Sequence, residues 1–152
     1  MSQLKILNKK EIQKILQSLE EQYGFKEKLD YAFLLSEKNK IYIVNRDIER
    51  IDLSRLRVNS YGLYLGELKD NGQVRLSIEG SQIVGKHSDK NILGLDDDDA
   101  KDWLKGYDIG YDGKLKDFVM IKNKEDFLGC GKIAGNKLLN HVPKIRRMNI
   151  NN

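Results

Sequence analysis

Apolar positions near the start of the chain recur at intervals of three and four, the spacing of one face of an amphipathic helix: Ile12, Ile15, Leu16, Leu19 and Tyr23. Asn8 and Glu11 have the spacing of a capping box, with Asn in place of Ser or Thr at the first position. Gly24 indicates the end of this helix. Residues 4–7 are predicted to form a short strand just before it.

Short β-favouring runs follow the helix. Residues 31–35 and 41–44 flank a polar connector and predict a β-hairpin. Residues 58–68 predict a strand whose glycines allow another backbone to approach closely. Asn-Gly at 71–72 is a strong turn signal, which makes residues 74–76 the return strand. Residues 45–52 favour neither helix nor strand.

The second half of the chain mixes short helices and strands. Ser77 can cap a helix that runs to residue 84, and the polar residues 85–91 form a connector. We therefore place a domain boundary at about residue 82, which gives domains 1–82 and 83–152. Four aspartates precede a helix at residues 100–104, where they complement its positive end, and Gly106 ends it. Strands at residues 118–121 and near Phe127 complete an α+β chain.

The positive charge lies at one end of the sequence. The net charge is +4 and the isoelectric point is about 9.0. Residues 129–152 carry five basic side chains and no acidic one, so they contribute +5 and the rest of the chain −1. A polyanion would be attracted to this end, with a salt-dependent affinity.

The residue inventory argues against most catalytic and membrane classes. A single cysteine, Cys130, excludes an intramolecular disulfide and a multi-cysteine zinc site. The two histidines, His87 and His141, are far apart in sequence. We expect no catalytic residue, no bound metal and no cofactor. With no apolar run of about 18–20 residues and no signal-peptide pattern, we expect a cytoplasmic protein without a membrane partner.

Several features allow two interpretations. The aspartates at 96–99 could bind a divalent cation, but they lack EF-hand spacing, and helix capping is favoured. Cys130 could be a nucleophile with His141 as its base, but a buried packing role is favoured. Trp103 is expected in the core, whereas Tyr107 fits both packing and stacking on RNA bases.

The glycine-rich residues 128–135 lack the spacing of a phosphate-binding P-loop or a dinucleotide-binding loop. They fit a tight packing turn, a close backbone approach to phosphate, or both. Pro143 favours an extended chain at Val142, and alternation along an extended strand then puts Lys144 and Arg146 on one side and Ile145 and Arg147 on the other. Such a basic strand could contact phosphates; the alternative is a solvated tail.

The strings GYDI at 106–109, FVMI at 118–121 and LGCGKIAGN at 128–136 resemble a PUA domain. The ending GKIAGNKLLNHVPK at 131–144 resembles the PUA-like C-terminal domain of RsmF-type RNA cytosine-C5 methyltransferases, as does YGLYLGE at 61–67. The order of elements over the whole chain resembles small Nip-type ribosome-biogenesis factors. This implies an α+β fold with an N-terminal α/β pre-PUA-like domain packed on a C-terminal PUA-type β-pseudobarrel.

The resemblance implies RNA contacts along the last strands, with two further lysines nearby: Lys132, Asn136, Lys137, Asn140, Lys144, Arg146, Arg147, Lys105 and Lys86. The glycine loop and paired cysteines of a methyltransferase core are missing. The sequence therefore predicts a non-catalytic protein that binds structured RNA, rRNA or tRNA, in RNA maturation, RNA modification or ribosome assembly. The alternative is an adaptor that docks on an RNA methyltransferase or a ribosome assembly factor.

Overall fold

The computed structural model describes residues 4–45 and 62–147, which form two five-stranded sheets. The first sheet has the strand order β1-β2-β3-β4-β5 and is antiparallel throughout. Its elements, with the two helices of this half, are β1 (Leu4–Ile6), α1 (Lys9–Tyr23), β2 (Ala32–Ser36), β3 (Lys40–Val44), β4 (Leu63–Leu68), β5 (Val74–Leu76) and α2 (Ile78–Gly85).

The second sheet has the strand order β6-β8-β9-β10-β7, in which only the β6–β8 pair is parallel. A 3₁₀ turn ends the described chain. The elements are β6 (Ile92–Gly94), α3 (Asp97–Leu104), β7 (Ile109–Gly110), β8 (Asp117–Asn123), β9 (Asp126–Ala134), β10 (Lys137–Leu139) and the 3₁₀ turn (Lys144–Arg146). Within the described residues, no helix has the length and apolar character needed to cross a membrane.

Helix α1 begins and ends where the sequence predicts. The backbone N–H of Glu11 donates to Asn8 Oδ1 at 2.8 Å, and the backbone N–H of Asn8 donates to Glu11 Oε1 at 3.1 Å. Two backbone donors that the helix cannot satisfy itself are thereby paired. Gly24 takes the left-handed conformation, with φ at 73°, and its N–H donates to the Glu20 carbonyl. The capping box and the glycine stop are confirmed.

The hairpin of β2 and β3 and the turn at Asn71-Gly72 are also confirmed. The strand predicted at residues 58–68 is described only from Leu63 onward, and the ambiguous residues 46–52 lie outside the described residues. A Cβ at Gly66 would lie 2.5 Å from the Arg75 carbonyl oxygen, so this glycine allows β4 and β5 to come close.

One hydrophobic core joins the two halves of the chain. Because neighbouring residues on a strand point to opposite faces, β8 supplies side chains both to this core and to a second, separate cluster. Phe118 and Met120 pack in a cluster with Leu65 and Tyr23 of the first half, whereas Val119 packs in a separate cluster of the second half. The two sheets are therefore packed together through buried apolar side chains.

Helix α2 lies between the two sheets. A Cβ at Gly80 would overlap the Leu65 carbonyl oxygen of β4, and a Cβ at Gly85 would lie 2.5 Å from the Phe127 ring of β9. Small residues on both sides of the helix thus let it fit into a narrow space. The boundary proposed at about residue 82 falls inside α2 and stays a prediction.

The glycine-rich residues 128–135 form the long strand β9 and the start of the turn to β10. A Cβ at Gly131 would lie 2.6 Å from Leu138 Cδ1 and 2.7 Å from Trp103 Cη2, so the position requires glycine for packing. Trp103 is fully buried, and its ring N–H donates to the Leu128 carbonyl at 3.1 Å. The prediction of Trp103 as a core residue is confirmed.

The extended basic strand predicted after Pro143 is wrong. The N–H of Arg146 donates to the Pro143 carbonyl at 2.8 Å, and that of Arg147 donates to the Lys144 carbonyl at 3.3 Å. These bonds close a 3₁₀ turn, so side chains 144–147 do not alternate between two faces. Local bonding satisfies the backbone here because the described part of the second sheet places no strand beside this segment.

Candidate nucleic-acid interface

Three of the predicted RNA-contacting side chains are exposed along β9, β10 and the turn between them. Lys132 lies on β9, Lys137 on β10 and Asn136 in the connecting turn. The Lys132 ammonium lies 5.7 Å from the centre of the Phe118 ring, which holds the charge over the edge of the shared core. The Asn136 carbonyl accepts a bond from the Tyr111 N–H at 2.8 Å, so this turn is tied to the end of β7.

The three basic side chains of the C-terminal turn differ in how free they are. Arg146 forms an ion pair with Glu79 at the start of α2, at 2.6 Å. Arg147 donates from Nε to the Val142 carbonyl at 3.0 Å and packs over Gly106. Lys144 is exposed and makes no ion pair with any residue in the described ranges. Lys144 is thus the member most available to a ligand.

Asn140 uses its side chain inside the protein. Its Nδ2 donates to the carbonyls of Trp103 and Tyr107 at 2.8 and 2.9 Å. Its Oδ1 accepts the N–H of Val142 at 2.8 Å. The amide therefore fastens the C-terminal tail to the end of α3, and we do not include it in the proposed contact surface.

Lys105 and Lys86 lie at different places. Lys105 is the C-cap residue of α3 and precedes Gly106, over which Arg147 packs. Lys86 is at the C-terminus of α2, whereas the Glu79–Arg146 pair is at its start. At about 1.5 Å per residue, the helix separates them by about 10 Å along its axis.

Sequence reasoning missed a polar network where the two halves meet. Arg75 of β5 forms an ion pair with Glu67 at 2.9 Å through Nη2 and contacts His141 Nδ1 at 3.1 Å through Nη1. A guanidinium can only donate, so Nδ1 accepts and the proton of neutral His141 lies on Nε2. In the sequence, Arg75 is marked only by its place between two apolar residues of a predicted strand, which directs its side chain away from the core.

The surroundings of the His141 ring disfavour its protonated form. Burial lowers its pKa most, and the nearby cations Arg75, Lys69 and Lys132 lower it further, while Asp108 acts in the opposite direction. Its Nε2 is buried and has no hydrogen-bond partner among the described residues. A cavity of about 80 Å³ lies at this junction, lined by both halves of the chain, including Tyr64, Arg75, Ser77, His141, Pro143 and Arg146.

Cys130 and the aspartate run have structural roles. Cys130 is buried, its sulfur lies 3.4 Å from the Tyr23 hydroxyl, and burial raises the pKa of its thiol to about 11. A thiol nucleophile needs the opposite shift. Asp96 accepts the Asp99 N–H at 2.8 Å and so caps α3. Among the described residues, no three His, Cys, Asp or Glu side chains are grouped to hold a metal ion.

Two sequence families match this chain. Residues 4–78 match the pre-PUA domain family described as NIP7/UPF0113, and residues 90–148 match the PUA domain family of methyltransferase RsmF. The first family covers the half that contains β1 to β5. The second covers the half that contains β6 to β10, with the exposed lysines of β9, β10 and the C-terminal turn.

Curated relatives and a solved structure give the same picture. The ribosomal RNA small subunit methyltransferases F of Vibrio vulnificus and Vibrio cholerae are 26% and 25% identical over 106 and 107 residues. These matches take in 70% of this chain but 22% of each relative, so the chain spans about a fifth of their length. A PUA domain structure from Aeropyrum pernix K1 aligns with a TM-score of 0.55 at 13% identity, over 95% of this chain and 87% of that one.

Proposed function

We propose that this chain, which matches a NIP7-type pre-PUA domain over residues 4–78 and an RsmF-type PUA domain over residues 90–148, is a non-catalytic RNA-binding protein. We propose that its partner is structured rRNA or tRNA and that it acts in the cytoplasm, in RNA maturation or ribosome assembly. It supplies positioning, and no chemistry on the RNA is expected from its own side chains.

The observation that carries the proposal is the set of three exposed cations on β9, β10 and the C-terminal turn of the PUA half. Lys132, Lys137 and Lys144 are exposed, and none forms an ion pair with another described residue. Phosphate contacts of this kind supply most of the affinity for RNA without reading its sequence. The buried, un-ionised Cys130 supports the non-catalytic part of the proposal.

The test is a combined change of Lys132, Lys137 and Lys144 to Ala. Binding of a fluorescein-labelled RNA hairpin with a single-stranded loop is measured by anisotropy at several salt concentrations. Each phosphate contact contributes roughly 0.7–0.9 to the slope of log affinity against log salt. We therefore expect weaker binding and a slope that is smaller by about 2.

A matched variant controls for the loss of three charges. Lys10, Lys28 and Lys101 are equally exposed but lie outside the PUA strands, and their combined change to Ala should leave most of the slope intact. An unchanged slope in the first variant, or equal losses in both, would contradict the proposal.

The alternative, an adaptor docking on an RNA methyltransferase or an assembly factor, is favoured by one observation. Ile145, in the C-terminal turn, is 92% exposed and so offers an apolar contact to a protein partner. An adaptor would retain its protein partner after RNase treatment and lose it in an Ile145→Asp variant. RNA binding without such a partner favours the first function.

A further inference from the structure

Cations from both halves of the chain converge on His141. Lys69 follows β4 and Arg75 lies on β5, both in the pre-PUA half, whereas Lys132 lies on β9 of the PUA half. The positive charge of each of these three side chains lowers the pKa of His141. The facing acids are Glu67, which pairs with both Lys69 and Arg75, and Asp108. The cluster keeps an excess of one positive charge with His141 neutral.

The cluster also contains an unused donor. The Nδ1 atom of His141 accepts from Arg75, which leaves a proton on Nε2, and this Nε2 atom is buried without a partner among the described residues. A buried donor without an acceptor is unfavourable, because it has lost its hydrogen bonds to water. An oxygen acceptor that reaches Nε2 would restore the missing hydrogen bond. Because the surroundings carry positive charge, an anionic oxygen is favoured over a neutral one.

We propose that Lys69, Lys132 and His141 together hold one phosphate of the RNA backbone at the junction of the two halves. The two ammonium groups supply the charge, and His141 Nε2 donates the directional bond. Arg75 is a positioning residue, because its guanidinium fixes the tautomer and orientation of the ring. This inference rests on the proposed RNA-binding function and assigns the pre-PUA half a direct part in it.

Strand pairing and ion pairs connect each lysine to the surroundings of His141. Lys132 pairs with Leu139 across β9 and β10, and His141 follows two residues later. Glu67 pairs with Arg75 across β4 and β5, and its carboxylate holds Lys69 at 3.3 Å. The two lysines thus come from two different halves of the chain, and Lys69 is linked to His141 through Glu67 and Arg75. A contact made by both halves would fix their common orientation on the RNA.

The experiment compares Lys69→Ala, Lys132→Ala and the double variant in anisotropy titrations with the same RNA hairpin. One shared phosphate predicts that each single change lowers the salt slope by up to about 0.9 and that the double change lowers it by about the same amount. Two separate phosphates predict a loss of roughly twice that size in the double variant, which would overturn the proposal.

Lys69 distinguishes this inference from the general function. If the Lys69→Ala and Lys69→Gln variants bind the hairpin with the affinity and salt slope of the wild-type protein, the proposed junction site is wrong and the RNA-binding function stands. If the wild-type protein shows no salt-dependent binding, the proposed function itself fails. Lys10→Ala serves as the control for removal of one exposed charge, and thermal unfolding checks that each variant is folded.

A change of opposite sign gives the sharpest check. Glu67→Gln removes the acid that competes with a phosphate for Lys69 and Arg75, so it should tighten RNA binding severalfold. A merely structural role of this network predicts weaker or unchanged binding.

The donor role of His141 is tested by two substitutions. Gln can still donate a hydrogen bond and Leu cannot, so the His141→Gln variant should bind the RNA more tightly than the His141→Leu variant. Equal affinities would contradict the donor role.

Discussion

Single residues in this protein are chosen by what surrounds them. Gly131 lies between the Trp103 ring and Leu138, and a methyl group there would meet both within 2.7 Å. Gly110 has nothing within 4 Å of its Cβ position. The sequence showed both glycines equally, and only the packing of α3 and β10 on β9 separates the restricted position from the free one.

This difference makes a prediction at the residue scale. Gly131→Ala should lower the free energy of unfolding by about 1–3 kcal/mol, because overpacking forces well-packed neighbours to move. Urea unfolding followed by far-UV circular dichroism measures it. Gly110→Ala is the control and should stay within about 0.5 kcal/mol of wild type, as surface changes usually do. Similar losses for the two variants would contradict the packing argument.

At the scale of elements, those defined by residues close in sequence were predicted correctly, and those defined by a partner far along the chain were not. The start of α1 was predictable because Asn8 and Glu11 bond to each other's backbone over three residues. Strands β6 and β7 were missed, because a two- or three-residue strand is defined by its partner, and Ile92 pairs with Met120 far along the chain. The C-terminal 3₁₀ turn was mistaken for a strand because charge alternation does not reveal whether a partner strand exists.

The cap of α1 supports a second prediction. Asn8→Ala should cost about 1 kcal/mol of stability, because it leaves the Glu11 N–H without its acceptor. Asn8→Ser keeps an oxygen in reach and should cost a few tenths at most. Thermal unfolding compares the two variants. Equal stability of Asn8→Ala and wild type would show that the capping box contributes nothing in this context.

At the scale of the whole molecule, the resemblance found in the sequence is confirmed, as is an α+β fold with a pre-PUA part and a PUA part. The candidate site was predicted less well. The lysines of β9 and β10 were predicted as RNA contacts from the charge distribution along the sequence and from the resemblance. The Arg75–His141 junction could not be predicted, because those two residues are 66 positions apart in sequence and their contact depends on how the two sheets pack. The RNA-binding residues themselves stay predictions.

The shared core leads to a prediction about cooperativity. Leu65 is fully buried in the first half, and Trp103, the single tryptophan, reports on the second. Leu65→Ala should cost about 2–5 kcal/mol and shift the Trp103 fluorescence transition as far as the circular dichroism transition. A tryptophan transition that stays in place would show that the halves unfold independently.

The joint core also has a consequence for how the chain folds as it is made. Domains of most proteins can fold in turn as they leave the ribosome, the N-terminal one first. Here Leu65 and Val74 of the first half pack in one cluster with Phe118 and Cys130, which are synthesised some fifty residues later. The N-terminal sheet must therefore wait with part of its apolar surface open until β8 and β9 emerge, so during synthesis the nascent chain presents a surface that chaperones recognise.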